Sequence, residues 1–164
     1  MIRRRIVAVL LLLLCVAASA QSKCCGSIYE QMAAIAEKYK GEKGVKSFIA
    51  KDGFKLQTVK MMLRKEFGKE FVDNIKEFVI LFYNDSKGDV SKRIVADVEQ
   101  IATSLLNVDI SNQLKPGAKG RGYVRFSESK ERLTDMLIVM EAPLPRAIYF
   151  GGKFKSESIQ YKNK

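Results

Sequence analysis

Apolar residues recur three and four positions apart in three segments of the chain, a spacing typical of amphipathic helices. The first segment, residues 27–40, opens with Ser27 and Glu30 in the arrangement of a capping box. The second segment spans residues 56–67, and the third begins after Gly88. Each of the three is predicted to be a helix with one buried face.

Other segments have the composition of β-strands. Residues 75–83 are almost continuously apolar and rich in aromatic and branched side chains, which is typical of a strand covered on both faces. Residues 109–114 form a weaker candidate. The remaining predicted strands are residues 45–51, 123–127, 133–141 and 146–154. Short links between the last three favour an antiparallel meander.

Helices and strands in this order predict an α+β fold. We expect an antiparallel sheet of about five strands, with about three helices packed on one face. The chain has no internal repeat and no linker of low complexity. Residues 27–154 are therefore expected to form a single domain, followed by a polar tail at residues 155–164.

The N-terminal residues have the pattern of a secretory signal peptide. A basic stretch precedes the apolar run 6–16, and small residues up to Ala20 fit a cleavage site before Gln21. The run is shorter than the roughly 20 residues that a membrane-spanning helix needs. We predict that residues 1–20 are removed, leaving a flexible start at residues 21–26, no transmembrane segment, and a periplasmic or secreted protein. An uncleaved N-terminal anchor is the alternative.

Cysteine and histidine usage excludes several kinds of site. Cys24 and Cys25 are adjacent, so they cannot link distant parts of the fold; a flexible tail, a link between chains and a soft-metal site remain open. The chain contains no histidine, which excludes His-dependent acid–base catalysis and most catalytic zinc sites. We predict no catalytic residues, no metal site and no cofactor.

Two basic segments are candidate anion-binding or partner-binding sites in a chain whose formal net charge is +11. The first is the glycine-rich loop 115–122, where freed backbone amides suit a phosphate or carboxylate. Its cations are Lys115, Lys119 and Arg121. The second is the outer face of the second predicted helix, with Lys60, Arg64 and Lys65. A solvated loop and a solvated helix face are the alternatives.

Several single residues also stand out. Asp135 lies inside an apolar run, so we expect it to form an ion pair with Arg125 or Arg146; the alternative is that it marks the solvent side of the sheet. Gly151 and Gly152 within the last strand indicate a bulge or the close approach of another backbone, including a partner at an exposed sheet edge. Four methionines are expected to fill the core: Met61, Met62, Met136 and Met140.

One pattern combines residues 36–39 (Ala-Glu-Lys-Tyr), residues 43–47 (Lys-Gly-Val-Lys-Ser) and the Lys-rich amphipathic helix that follows. Together with the Ser-Ala-Gln junction of the leader, it resembles small exported proteins of unknown function from Bacteroides-type Gram-negative bacteria. The resemblance covers residues 28–154. It implies an envelope location and a compact α+β domain, and it transfers no catalytic or ligand-binding residues.

These observations favour an exported, non-enzymatic interaction module for an anionic envelope component or a protein partner. Nucleic acid is not an expected partner after export. The alternative is a small hydrolase or transferase that uses carboxylates or a Ser-Lys pair. The carboxylates that are close in sequence are Glu128 with Glu131, Asp135 with Glu141, and Asp97 with Glu99. An enzyme should have a deep pocket with converging polar groups, and a binding module an open patch.

Overall fold

A computed structural model describes residues 26–84, 88–106, 108–114, 119–142 and 144–155. The predicted signal peptide, nearly all of the flexible start that follows it, and the polar tail beyond Lys155 lie outside the described residues. These three stay predictions.

The described strands form one antiparallel sheet. In chain order they are β1 (Val45–Ala50), β2 (Ile75–Tyr83), β3 (Val108–Asp109), β4 (Lys119–Phe126), β5 (Arg132–Ala142) and β6 (Arg146–Lys155). Their order across the sheet is β1-β2-β6-β5-β4-β3. The predicted α+β class and antiparallel sheet are confirmed, with one strand more than expected.

Within the described residues, α-helices occur at α1 (Ile28–Lys38), α2 (Gly53–Phe67), α3 (Lys69–Asp73) and α4 (Asp89–Leu105), and a 3-10 turn at Ser111–Gln113. The capping box of α1 is confirmed. The backbone N–H of Glu30 donates to Ser27 Oγ (3.2 Å), and the backbone N–H of Ser27 donates to Glu30 Oε2 (2.9 Å). Gly68, at a φ of 81°, ends α2 and separates it from the short helix α3.

The helices cover both faces of the sheet, which corrects the expectation of helices on one face. Helices α1 and α4 pack on the face that carries Val79 and Leu81, which we call the α1/α4 face. Helices α2 and α3 pack on the face that carries Phe78 and Ile80, which we call the α2 face. Successive side chains of a strand point to opposite sides, so a strand as apolar as β2 needs cover on both.

The weak strand candidate at residues 109–114 is wrong for most of its length. Only Val108–Asp109 pair with β4. The carboxylate of Asp109 accepts hydrogen bonds from the backbone N–H (2.8 Å) and the hydroxyl (2.5 Å) of Ser111. This local turn diverts the chain out of the strand and into the 3-10 turn.

Strand β6 lies between β2 and β5, so it offers no free edge to a partner and corrects that expectation. The ladders to both neighbours shift register at Gly151 and Gly152, which confirms the bulge. A Cβ added at Gly152 would collide with the backbone carbonyl oxygen of Asn74. The closely approaching backbone therefore belongs to this chain.

Two of the four methionines expected in the core are on the surface. Met136 and Met140 are buried, whereas Met61 and Met62 are each 75% exposed. The stripe that α2 buries is narrower than the sequence spacing indicates, since Leu56 and Val59 are its buried residues.

Asp135 is the one buried charged residue in the described part of the chain, at 5% exposure. Arg125 lies opposite it in β4 and binds its carboxylate through Nε (2.8 Å) and Nη2 (2.6 Å). The predicted ion pair is confirmed, with Arg125 and not Arg146. The hydroxyls of Thr134 and Tyr149 also donate to this carboxylate, each at 2.7 Å. These donors replace the water that burial removes.

Gly151 makes room for the Tyr149 hydroxyl. It pairs with Glu77 in β2 and with Asp135 in β5, so the three residues lie in one row across the sheet. A Cβ at Gly151 would lie 2.5 Å from the Tyr149 hydroxyl and 2.9 Å from Glu77 Oε2. Burial and then the Asp135 carboxylate raise the pKa of Tyr149 well above its ordinary value, so the phenol keeps its proton and donates it.

We predict that Asp135→Asn lowers the free energy of unfolding by about 2 kcal/mol, because it removes the charge that pairs with Arg125 and replaces one of the two accepting oxygens with an NH2 donor. Denaturant unfolding followed by circular dichroism measures the change. The matched control is Glu131→Gln, an exposed acid whose loss should cost no more than about 0.5 kcal/mol. Equal effects of the two substitutions would contradict a structural role for Asp135.

Gly151→Ala should also be destabilising, because its Cβ meets the Tyr149 hydroxyl. Removing that hydroxyl with Tyr149→Phe should relieve part of the clash. The double variant is therefore expected to lose about 1 kcal/mol less free energy of unfolding than the two single variants lose together. A double-mutant cycle in denaturant unfolding tests this, and additive effects would show that the hydroxyl is not what excludes a side chain.

Candidate ligand-binding groove

The α2 face is covered only in part, and an apolar groove of about 380 Å³ lies between α2 and strands β1, β2 and β6. Its floor contains two cross-strand pairs, Phe82 with Arg146 and Ile80 with Ile148. Its walls include Phe48 of β1 and, from α2, Val59, Met62 and Leu63. The volume lies within the range of roughly 300–1,000 Å³ that is typical of small-molecule sites.

Aromatic packing holds α2 against the sheet at one end of the groove. Phe67 near the C-terminus of α2 stacks on Phe71 of α3, with 5.4 Å between ring centroids. Both rings contact Phe150 in β6, at 5.6 and 5.5 Å, and Phe71 also stacks on Phe154 at 4.6 Å. The rings fill the space under this end of α2, and Phe48, which is 39% exposed, marks the open rim.

One row of the sheet places a second cation, Lys46, near the groove that Arg146 lines. Lys46 in β1 pairs with Phe82 in β2, and Phe82 pairs with Arg146 in β6. Neighbouring strands lie about 4.8 Å apart, so the backbones of Lys46 and Arg146 are about 10 Å from each other, on either side of Phe82. We call Lys46, Phe82 and Arg146 the cationic row.

The charge of Arg146 is not neutralised by any described residue. Its side chain is partly buried, and its Nε has no hydrogen-bond partner within the described ranges. A buried unpaired donor of this kind costs about 1–3 kcal/mol. An arginine at the edge of an apolar groove is thus suited to bind a carboxylate or phosphate, which it can contact with two parallel hydrogen bonds.

The other polar groups in the groove already have partners. The Thr58 hydroxyl donates to the backbone carbonyl of Phe54 at 3.0 Å. Glu66 also lines the groove and is engaged in an interaction of its own. Arg146 is therefore the polar lining group with unused binding capacity.

The structure describes only part of the predicted glycine-rich loop. Lys115 lies outside the described residues, as do residues 116–118. Lys119 is exposed at the start of β4. Arg121 forms ion pairs with Glu99 of α4 (2.5 Å) and Glu141 of β5 (3.5 Å). Its guanidinium thus links α4 to the sheet on the α1/α4 face, away from the groove.

The predicted basic face of α2 is only partly free. Lys60 Nζ donates to the backbone carbonyl of Asp73 at 3.1 Å, and Arg64 Nη2 binds the Asp73 carboxylate at 2.9 Å. Both cations therefore help to fix the end of α3 against α2. Burial lowers the pKa of Lys60. Lys65 is exposed on the outer side of the helix.

Sequence reasoning missed the cationic row. Lys46 and Phe48 are two positions apart, so the sequence indicated only that they share one face of β1. Nothing in the sequence showed that Arg146 lies beside Phe82, because 63 intervening positions separate them and the pairing is set by the sheet. The groove depends on such long-range register.

Four of the six carboxylates considered for catalysis have structural partners (Asp97, Glu99, Asp135 and Glu141), whereas Glu128 and Glu131 are exposed on the surface. Asp97 accepts hydrogen bonds from Lys38 (2.6 Å) and from the Tyr39 hydroxyl (2.9 Å) on α1 and at its end. Glu99 pairs with Arg121, and Asp135 with Arg125. In the described ranges, no three Asp, Glu, Cys or His side chains are grouped so that they would hold a metal ion.

The sequence matches no known protein-family model, and comparison with curated proteins and with solved structures gives no significant match. The resemblance to small exported Bacteroides-type proteins therefore stays a prediction. Among the helices that the structure describes, none has the length and apolar character needed to cross a membrane.

We predict that Arg121→Gln lowers the free energy of unfolding by about 1 kcal/mol, because it leaves the partly buried Glu99 without its partner. Lys119→Gln is the matched control and should change stability by no more than about 0.5 kcal/mol. The double variant Glu99→Gln with Arg121→Gln should be less destabilised than the sum of both. Equal stability of the Lys119 and Arg121 variants would show that the ion pairs of Arg121 do not stabilise the fold.

Proposed function

We propose that this protein is an exported, non-enzymatic binding protein whose groove on the α2 face holds a single-chain amphiphile with an anionic head group, such as a fatty acid. The observation that carries the proposal is Arg146, whose buried Nε has no described hydrogen-bond partner and which lies at a mainly apolar groove. The apolar chain would lie between α2 and the pairs Ile80–Ile148 and Phe78–Phe150. The head group would bind at the cationic row.

The chemistry of the lining supports binding and offers no support for catalysis. Phenylalanine, isoleucine, leucine and valine side chains contribute affinity through the area that they remove from water. Arg146 and Lys46 add selectivity for a negative head group, since a neutral head group would leave the guanidinium charge unpaired. An anionic ligand is what the sequence predicted for the interaction module, although it predicted the two basic segments as the site and not this groove.

We expect the purified protein to bind dodecanoate more tightly than dodecanol by about tenfold, because the alcohol has no charge to pair with Arg146. Phe48→Trp places a reporter at the rim, since the chain contains no tryptophan. The change in its fluorescence on titration measures occupancy of the groove. Isothermal titration of the unmodified protein checks that the reporter itself does not alter affinity.

Arg146→Gln should remove the preference for dodecanoate while leaving dodecanol binding unchanged. Arg132→Gln, at the exposed start of β5, is the matched control and should behave as the unmodified protein. Phe48→Glu should weaken both ligands, because it places a charge in the apolar wall. If neither ligand binds, the groove is not a site for such amphiphiles. If both bind with equal affinity, the groove does not select an anionic head group.

A further inference from the structure

The outer side of α2 exposes a stripe of large apolar side chains. Phe54 is 86% exposed, and Met61 and Met62 are each 75% exposed. Residues seven and eight positions apart lie on the same side of a helix, so Phe54 is aligned with both methionines two turns away. Side chains of this size are usually buried, and their clustering on one exposed face indicates a surface that is covered by something else.

Two exposed lysines flank this stripe. The charged residues of α2 are Lys55, Lys60, Arg64, Lys65 and Glu66, and its first turn has no acid. Lys55 is adjacent to Phe54, and Lys65 lies one turn beyond Met61. Arg64 and Lys60 are paired with Asp73, and Glu66 has a partner of its own, so Lys55 and Lys65 are the exposed cations left beside the stripe.

Phenylalanine and methionine are enriched at protein interfaces too, so the two exposed lysines are what favour an anionic lipid surface over a protein. Lysines are depleted in protein–protein interfaces, whereas helices at a membrane surface characteristically carry lysines beside exposed aromatic and aliphatic residues. The long lysine side chains can reach phosphate groups while the apolar residues enter the boundary between head groups and acyl chains. We propose that the protein docks on anionic lipid bilayers through the stripe Phe54, Met61 and Met62, with Lys55 and Lys65 on the head groups.

The position of Met62 gives this docking a structural consequence. Met62 belongs to the exposed stripe and also lines the groove, so the groove opens next to the docked surface. Docking itself requires only the outer side of α2. It does not depend on whether the groove is occupied, and its test is independent of ligand binding.

Sedimentation with lipid vesicles tests the proposal. We expect the purified protein to bind vesicles made from an equal mixture of phosphatidylglycerol and phosphatidylcholine, and to bind phosphatidylcholine vesicles weakly. Phe54→Ser combined with Met61→Ser should weaken binding at least about tenfold, because it removes the inserted side chains. Lys55→Gln and Lys65→Gln should each weaken it about fivefold, and added salt should reduce the effect of both.

Matched controls lie elsewhere on the surface. Leu144→Ser removes another exposed apolar residue, and Lys92→Gln removes an exposed lysine of α4; neither should change vesicle binding. Phe54 and Met61 do not line the groove, so their double variant should still bind dodecanoate as the unmodified protein does. Loss of vesicle binding with dodecanoate binding retained would support docking. The two measurements therefore test the docking surface and the groove independently.

Two results would overturn the proposal. The first is vesicle binding that the Phe54 and Met61 double variant leaves unchanged. The second is concentration-dependent self-association in analytical ultracentrifugation that the same variant abolishes, which would assign the stripe to contact with a second copy of this chain.

Discussion

The bond between the buried carboxylate of Asp135 and Arg125 is the interaction on which the alignment of the sheet depends. A shift of β5 by one residue would move Asp135 from the polar row on the α1/α4 face to the apolar α2 face. Its carboxylate would then lose its hydrogen bonds with Arg125 and Tyr149. The Tyr149 hydroxyl fixes β6 to β5 in the same way. The separate pairing of β6 with β2 places Arg146 beside Phe82, and the Tyr149 hydroxyl also contacts Glu77 of β2, at 3.4 Å.

The groove and the exposed stripe of α2 follow from unequal cover on the two faces. The α1/α4 face is covered by helices of 11 and 17 residues, which bury Val79, Leu81 and their neighbours. On the α2 face, the second helix α3 has only 5 residues and is used to anchor the aromatic cluster around Phe150. Helix α2 alone cannot fill the remaining space above the sheet, so the groove stays open beside it.

Local features of the fold could be predicted from the sequence, and long-range ones could not. Helical periodicity, the capping box at Ser27 and the buried ion pair of Asp135 each depend on neighbours or on one strong chemical requirement. The continuous apolar run of β2 already indicated cover on both faces. Assigning each helix to a face requires the path of the chain over the sheet, which periodicity does not contain. Met62 shows the same limit, because the spacing that suggested burial does not specify how wide the buried stripe is.

The basic character of the chain serves two different purposes in this arrangement. Arg121 and Arg125 on the α1/α4 face are matched by acids and join elements of the fold. Lys46 and Arg146 on the α2 face, and Lys65 on the outer side of α2, form no ion pair with a described residue. Exposed apolar surface is costly in water, and an anionic amphiphile could cover it while its charge pairs with the neighbouring cations. The fatty acid proposed for the groove and the anionic bilayer proposed for α2 would each supply this combination of apolar contact and negative charge.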